Sequence, residues 1–184
     1  MNNIVKGLMS AVVGLALIAP LAHSTAHAAT AKPLKVFKTV EIAASPAAVW
    51  EKVKNFDALN TWHPGFASDE IVKGENNKVG AVRKLTVKDG PTFTEQLLAY
   101  SDKGHTMKYK IIDPAPLPIV GYVSSIKVKA GKAPNTSVAS WEGTFKRKKV
   151  DNPGPEENDE AVVKLFSGVY DGGLANLKKI SETK

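Results

Sequence analysis

Two side chains in the stretch NTWHPGF, residues 60–66, are suited to ligand binding: the indole of Trp62 and the imidazole of His63. An imidazole can accept or donate a proton near neutral pH, and an indole combines a large apolar surface with one N–H donor. We interpret His63 as a polar contact for a bound molecule. The alternative is that Trp62 fills the end of a core and that His63 is a hydrogen-bonded or exposed histidine.

A pair of opposite charges is the second candidate site. In the stretch AVRKLTV, Arg83 alternates onto the same face as Leu85, and in TFTEQLLAY, Glu95 shares a face with Phe93 and Leu97. A three-residue turn at positions 88–90 would place Arg83 directly opposite Glu95. Because buried charges must pair, we predict an ion pair that lines a cavity and orients a polar ligand. The alternatives are a structural salt bridge or a charge at the solvated end of the sheet.

Four more aromatic side chains are candidates for the wall of the same cavity. By the same alternation Tyr109, Tyr122 and Trp141 lie on the apolar faces of three later strands. Tyr170 lies in a C-terminal helical stretch beside the pair Gly172-Gly173. Aromatic side chains at such positions are more often core than ligand contacts, although a hollow sheet lets the two roles overlap. We predict that all four help to form the cavity.

The sequence lacks the usual motifs of enzymes and metal sites. After residue 28 it contains two histidines, His63 and His105, and no cysteine, so the ligand spacings of zinc sites do not occur. It has no Gly-x-Ser-x-Gly motif and no carboxylate pair at a spacing typical of acid–base catalysis. We therefore predict no metal, no cofactor and no catalytic residue. The alternative is an enzyme in which His63, Arg83 or Glu95 moves protons.

Residues 1–28 have the features of a cleavable export signal. One lysine precedes an apolar stretch from Leu8 to Leu21, and the segment ends in the small-x-small pattern Ala26-His27-Ala28. The apolar stretch is too short to span a bilayer comfortably. We predict cleavage before Ala29, a periplasmic product without a stable membrane anchor, and a single domain formed by residues 29–184.

The composition limits the class of partner. Removal of Lys6 with the signal lowers the formal net charge from +7 to +6, and almost all of the positive charge is lysine. The sequence has no run of arginines with interleaved aromatics, so we predict no nucleic-acid partner. An anionic surface partner, or solubility alone, accounts for the charge. Without cysteine the protein forms no disulfide, even in an oxidising compartment.

The order of secondary-structure signals predicts an α+β fold. The alternating stretch LKVFKTVEI indicates a first strand, and Ser45-Pro46 begins a helix with one apolar stripe. Five alternating stretches follow, separated by turn signals, as in an antiparallel sheet with one covered face. Residues Ala161 to Ile180 then have apolar side chains at helical spacing. The glycine pair in that helix indicates a bend or a close approach of the sheet or a ligand.

With elements in this order, the sequence resembles the SRPBCC superfamily, which includes pollen allergens, lipid-transfer START domains, polyketide cyclases and plant abscisic-acid receptors. The resemblance is carried by TVEIAASPAAVWEKVKNFDALNTWHP, GAVRKLTV, TEQLLAY, YKIIDPAPLPIVGYVSSIKV, SWEGTF and GVYDGGLANLKKI. It implies a helix-grip fold, in which a curved antiparallel sheet wraps around a long C-terminal helix, with Trp62 and His63 at the cavity mouth. In the plant receptors, residues matching Glu95 and Tyr122 line the pocket, and a lysine matching His63 meets the ligand carboxylate.

A narrower resemblance is to the MxaD family of periplasmic methanol-oxidation accessory proteins. It is carried by the export signal, by WHP after the first helix, by the loop NPGPEENDEA and by the closing GVYDGGLANLKK. It implies a non-enzymatic protein that assists electron transfer between methanol dehydrogenase and its cytochrome. A carrier of an apolar small molecule or lipid, and a polyketide-cyclase-like enzyme, are the two alternatives.

Overall fold

The structure is a computed structural model that describes residues 31–113 and 116–183; the predicted export signal lies outside these residues. Within the described ranges there are seven strands and three helices. In chain order they are β1 (Leu34–Ile42), α1 (Pro46–Val53), α2 (Leu59–Trp62), β2 (Phe66–Lys73), β3 (Val82–Val87), β4 (Thr92–Ser101), β5 (Thr106–Asp113), β6 (Ile119–Ala130), β7 (Ser137–Arg147) and α3 (Asp159–Glu182).

The seven strands form one antiparallel sheet in the order β1-β7-β6-β5-β4-β3-β2. Register shifts interrupt the pairing in β2, β4 and β6, and bulges of this kind bend and twist a sheet. Gly121 lies at the shift in β6 and has a φ of 64°, a conformation that favours glycine. The long helix α3 packs against β1 and β7 and buries Val162, Phe166, Leu174 and Leu177. The predicted α+β helix-grip fold is confirmed.

Local sequence signals fix where the helices begin. The Ser45 side chain accepts a hydrogen bond from the backbone N–H of Ala48 at 3.3 Å, and proline follows at the first helical position, as predicted. Asn158 caps α3 in the same way, with Oδ1 accepting from Ala161 N–H at 2.8 Å.

No helix in the described ranges combines the length and the apolar character needed to cross a membrane.

The sequence patterning misses two elements, the short helix α2 and the strand β2. The sequence predicts five strands after the first helix, and the structure has six. Along FASDEIVK only Phe66 is buried as a whole residue, although the side chain of Asp69 is also shielded, and β2 is an edge strand of the sheet. Its pairing with β3 also shifts twice, so that strict alternation is lost. The omission matters because β2 contributes a residue to the candidate site.

Candidate functional site

Arg83 and Glu95 form the predicted buried ion pair. The pairing of Val87 with Pro91 leaves a three-residue turn between β3 and β4, and the register places Arg83 opposite Glu95. Both residues are 3% exposed. Arg83 donates to Glu95 Oε2 from Nε at 2.8 Å and from Nη2 at 2.6 Å. The guanidinium carbon also lies 4.9 Å from the ring centroid of Tyr109, within the range of a cation–π contact.

A third charged group, Asp69 on β2, completes what we call the charged cluster: Arg83, Asp69 and Glu95. Oδ2 of Asp69 accepts from Arg83 Nη1 at 3.1 Å and from the backbone N–H of Leu59 at 2.9 Å. Nη1 of Arg83 also donates to the Phe56 carbonyl at 2.6 Å. Oδ1 of Asp69 is buried without a hydrogen-bond partner among the described residues. Asp69 could have been found from the sequence by assigning FASDEIVK, just after WHP, to an edge strand beside β3. That pairing would place its carboxylate near Arg83.

The charged cluster contains two carboxylates and one guanidinium. Burial raises the pKa of Glu95 and of Asp69 above their ordinary values, and attraction to Arg83 offsets only part of each shift. Burial by itself would lower the pKa of Arg83, but the two carboxylates raise it, so the guanidinium stays charged. With both carboxylates ionised, the cluster has a net charge of about −1, which is costly in an apolar surrounding.

Aromatic side chains form a hydrogen-bonded network on the same face of the sheet. Trp141 Nε1 donates to the hydroxyl oxygens of Tyr109 at 2.9 Å and Ser124 at 3.0 Å. The Tyr170 hydroxyl lies 2.8 Å from that of Tyr122, and the Tyr170 ring stacks on Trp141 with 4.5 Å between centroids. Burial raises the pKa of Tyr170 to about 12 and also raises the pKa values of Tyr109 and Tyr122. All three phenols are therefore protonated at neutral pH.

Both ring nitrogens of His63 are bonded to backbone groups. Nδ1 lies 3.0 Å from the N–H of Gly65 and accepts its hydrogen bond, so Nε2 carries the ring proton and donates to the Val169 carbonyl at 2.8 Å. Burial lowers the pKa of His63, although the hydrogen bond to Val169 opposes that shift. Protonation of Nδ1 would place its N–H opposite the N–H of Gly65, so that two donors faced each other. The fold therefore selects the neutral imidazole, which ties the segment after α2 to α3.

Gly173 leaves room for the His63 ring beside α3. A Cβ at Gly173 would lie 2.5 Å from His63 Cδ2 and 2.8 Å from Trp141 Cζ3, whereas one at Gly172 would meet no atom within 4 Å. The predicted close approach of the sheet to the glycine pair is confirmed at Gly173, where Trp141 of β7 lies against the helix. Trp62 is also part of this packing, because its ring centroid lies 5.4 Å from that of Trp141. It is buried, as expected of a residue that fills the end of a core.

A cavity of about 300 Å³ lies between the inner face of the sheet and α3. This volume is at the lower end of the range for small-molecule sites. The wall is mostly apolar, and the charged side chains that line it are Arg83 and Glu95. It is formed by Leu59, Phe66, Arg83, Leu85, Val87, Pro91, Phe93, Glu95, Tyr109, Ile111, Pro116, Leu117, Pro118, Tyr122, Trp141, Leu165, Phe166 and Val169.

The structure brings five of the eight predicted site residues to this wall: Arg83, Glu95, Tyr109, Tyr122 and Trp141. The other three do not line it. The rings of Trp62 and Tyr170 pack against that of Trp141, and His63 borders a separate, open surface cleft along α3. Their predicted role in ligand binding would thus act through the wall residues. Among the described residues, no three histidine, aspartate or glutamate side chains come together as a metal site requires.

The fold and this cavity together define a helix-grip protein with a partly open, largely apolar site. Residues 33–182 match the family model described as polyketide cyclase / dehydrase and lipid transport, and the chain belongs to that family. This confirms the resemblance to the SRPBCC superfamily at the level of family and fold. A search of curated proteins found no match.

Solved structures of other bacterial proteins resemble this chain. The protein XoxI from Bacillus cereus is 35% identical, with a TM-score of 0.70 over 79% of this chain and 94% of its own. An uncharacterized protein from Bacillus thuringiensis is 33% identical, with a TM-score of 0.70 over 80% of this chain and 98% of its own. The Zhui aromatase/cyclase from Streptomyces sp. R1128 is 17% identical, with a TM-score of 0.69 over 82% of this chain and 94% of its own, a likeness that shows the fold alone.

Proposed function

We propose that this protein binds a small apolar molecule in the cavity between the sheet and α3, as a carrier rather than as an enzyme. The observation that supports the proposal is the 300 Å³ space itself, walled by apolar and aromatic side chains. Protein interiors are close-packed, so a space of this size in a core of this size is a specific feature. The description of the family, which includes lipid transport, supports the same function.

A change at Ile111 tests this function. Ile111 lines the cavity, whereas its neighbour Ile112 faces outward and is 45% exposed. We expect wild-type protein to bind naphthalene and Ile111→Trp to bind it about tenfold more weakly or worse, because the indole fills the space. The measurement is an NMR chemical-shift titration. Ile112→Trp is the matched control and should bind as wild type does; equal affinities in all three proteins would contradict the proposal.

Catalysis of the polyketide-cyclase type has less support from the geometry. His63 lies outside the cavity wall, and both of its nitrogens are already bonded to backbone groups. Arg83 makes four hydrogen bonds within the protein, to Glu95, Asp69 and Phe56. Glu95 is the remaining wall group that could move a proton.

A second candidate function is the accessory role that the MxaD resemblance implies, in a periplasmic protein exported through residues 1–28. The supporting observation is a set of lysines on the outer face of β5 and β6, which we call the lysine face: Lys108, Lys110, Lys127 and Lys129. They alternate with buried residues along their strands, and none takes part in an ion pair among the described residues. A face of this kind attracts an acidic protein surface over long range.

The expected result is that this protein speeds the reduction of cytochrome by methanol dehydrogenase at low salt and loses the effect at a few tenths molar salt. Such attraction is screened over about 8 Å at physiological ionic strength. Stopped-flow reduction across a salt series measures the rate. Lys108→Glu with Lys127→Glu should abolish the effect. Lys164→Glu with Lys52→Glu, the same charge change on two helices, should preserve most of it; no acceleration at any ionic strength would refute this role.

A further inference from the structure

The charged cluster has one carboxylate more than its cation can neutralise. The charged groups that act on Glu95 are Arg83, which attracts it, and Asp69, which repels it. The charged groups that act on Asp69 are Arg83 and Asp57, so no second cation contributes there either. Interactions between charges are several-fold stronger in such a buried place than in water. A group of positive charge that entered the cavity would therefore be attracted, and an anionic group would be repelled.

The two oxygens of Glu95 are in different situations. Oε2 accepts both hydrogen bonds from Arg83, whereas no hydrogen bond among the described residues reaches Oε1. Glu95 lines the cavity and is 3% exposed, so bulk water has little access to it. Oε1 is not among the fully buried atoms that lack a partner, so it is open to the cavity, where a ligand or a water molecule can donate to it. The cavity thus offers one strong acceptor that lacks a donor.

The rest of the wall supplies no alternative polar contact of the same strength. Most of the lining residues are apolar, and the Trp141 N–H already donates to Tyr109 and Ser124. Arg83 is held by four hydrogen bonds to protein acceptors, so it offers little to an anionic ligand. A ligand that fills this cavity would therefore place its apolar body against the aromatic wall and a donor group against Glu95.

We propose that the ligand of this cavity is a compact apolar molecule with a hydrogen-bond donor at one end, a protonated primary amine in preference to a hydroxyl, and that Glu95 Oε1 accepts from it. This inference rests on the proposed binding function and adds the chemical class of the ligand. The amine is preferred because it supplies both the missing donor and the missing positive charge.

A matched series of probes tests the proposal: naphthalene, naphthylmethanol, naphthylmethylamine and naphthoate share one apolar body and differ in the end group. NMR titrations of wild-type protein should give the amine about tenfold tighter binding than naphthalene, and naphthoate weaker binding than naphthalene. In Glu95→Gln the ratio of amine to naphthalene affinity should fall by about the same tenfold, because the amide has no charge. Glu142→Gln, which removes a carboxylate from an exposed ion pair on β7, should keep the wild-type ratio.

The outcomes separate this inference from the function on which it rests. Naphthalene binding with no gain for the amine, or with equal binding of naphthoate, would overturn the ligand class and leave the apolar binding function standing. Failure of every probe to bind would overturn both. If Glu95→Gln does not fold, the order of affinities in the wild-type protein decides the ligand class without it.

Discussion

Arg83→Met is expected to lower the free energy of unfolding by about 3 to 5 kcal/mol, because it leaves the carboxylates of Asp69 and Glu95 buried without a cation. Methionine has a similar length and no charge, so the loss comes from electrostatics and from hydrogen bonds rather than from a cavity. Urea denaturation measures it. Three of the four hydrogen bonds made by Arg83 go to these carboxylates, and both acidic side chains are almost fully buried.

Lys84→Met is the matched control for this change. Lys84 is the next residue on β3 and forms an exposed ion pair with Glu70, so its loss should cost less than about 1 kcal/mol. If Arg83→Met lowers the free energy of unfolding as little as Lys84→Met does, the prediction is wrong, and Asp69 and Glu95 do not depend on Arg83 for neutralisation. The triple variant Arg83→Met, Asp69→Asn and Glu95→Gln should regain part of the loss, because it removes the uncompensated charges.

The loss of stability in Arg83→Met is expected to depend on pH. Burial raises the pKa of Asp69 and Glu95 in the folded protein, and the loss of Arg83 removes the attraction that opposes this shift. An acid with a raised folded pKa binds protons more readily when folded, so folding is favoured as the pH falls toward that pKa. The deficit of Arg83→Met relative to wild type should therefore shrink as the pH is lowered from about 7 to about 5.

Gly173→Ala is the second change for which we expect a large effect, a loss of about 1 to 3 kcal/mol in the free energy of unfolding. The new methyl group would lie 2.5 Å from His63 and 2.8 Å from Trp141, and both of these side chains are buried. His63 is fixed by its hydrogen bonds to Gly65 and Val169, so it has little freedom to move away. Thermal or urea denaturation measures the loss.

Gly172→Ala is a control at the adjacent position of the same helix. A Cβ there meets no atom within 4 Å, and alanine is a better helix former than glycine by about 1 kcal/mol. The two substitutions should thus act in opposite directions, with Gly172→Ala neutral or stabilising. If both stabilised the protein, α3 would have to lie farther from His63 than the structure places it.

Several elements of the site follow from local sequence patterns. Alternation assigned Arg83, Glu95, Tyr109, Tyr122 and Trp141 to the apolar faces of their strands, and all five line the cavity. The pairing of Arg83 with Glu95 was predictable because a three-residue turn leaves one register between neighbouring strands. Ser45-Pro46 likewise fixed the start of α1, since a cap depends on residues within one turn.

Other members of the site depend on residues that are distant in sequence. Asp69 reaches Arg83 only because β2 pairs with β3 at the sheet edge, with shifts in register that break the alternation of FASDEIVK. His63 bonds to Val169, which is 106 residues away, so its tautomer and its position outside the cavity depend on where α3 packs. Tyr170 lies next to the glycine pair in sequence, but its stacking on Trp141 depends on how α3 packs on β7.

The sequence by itself determined which side chains face the interior, because the pleat of a strand and the pitch of a helix convert spacing into sidedness. It thereby specified the strands of the sheet other than β2, the long closing helix and the buried pair of Arg83 and Glu95. The tertiary structure alone decided the size of the cavity, the third charge of the cluster and the burial of His63. These depend on distances between elements, which the packing of α3 against a bent sheet sets and which no local pattern encodes.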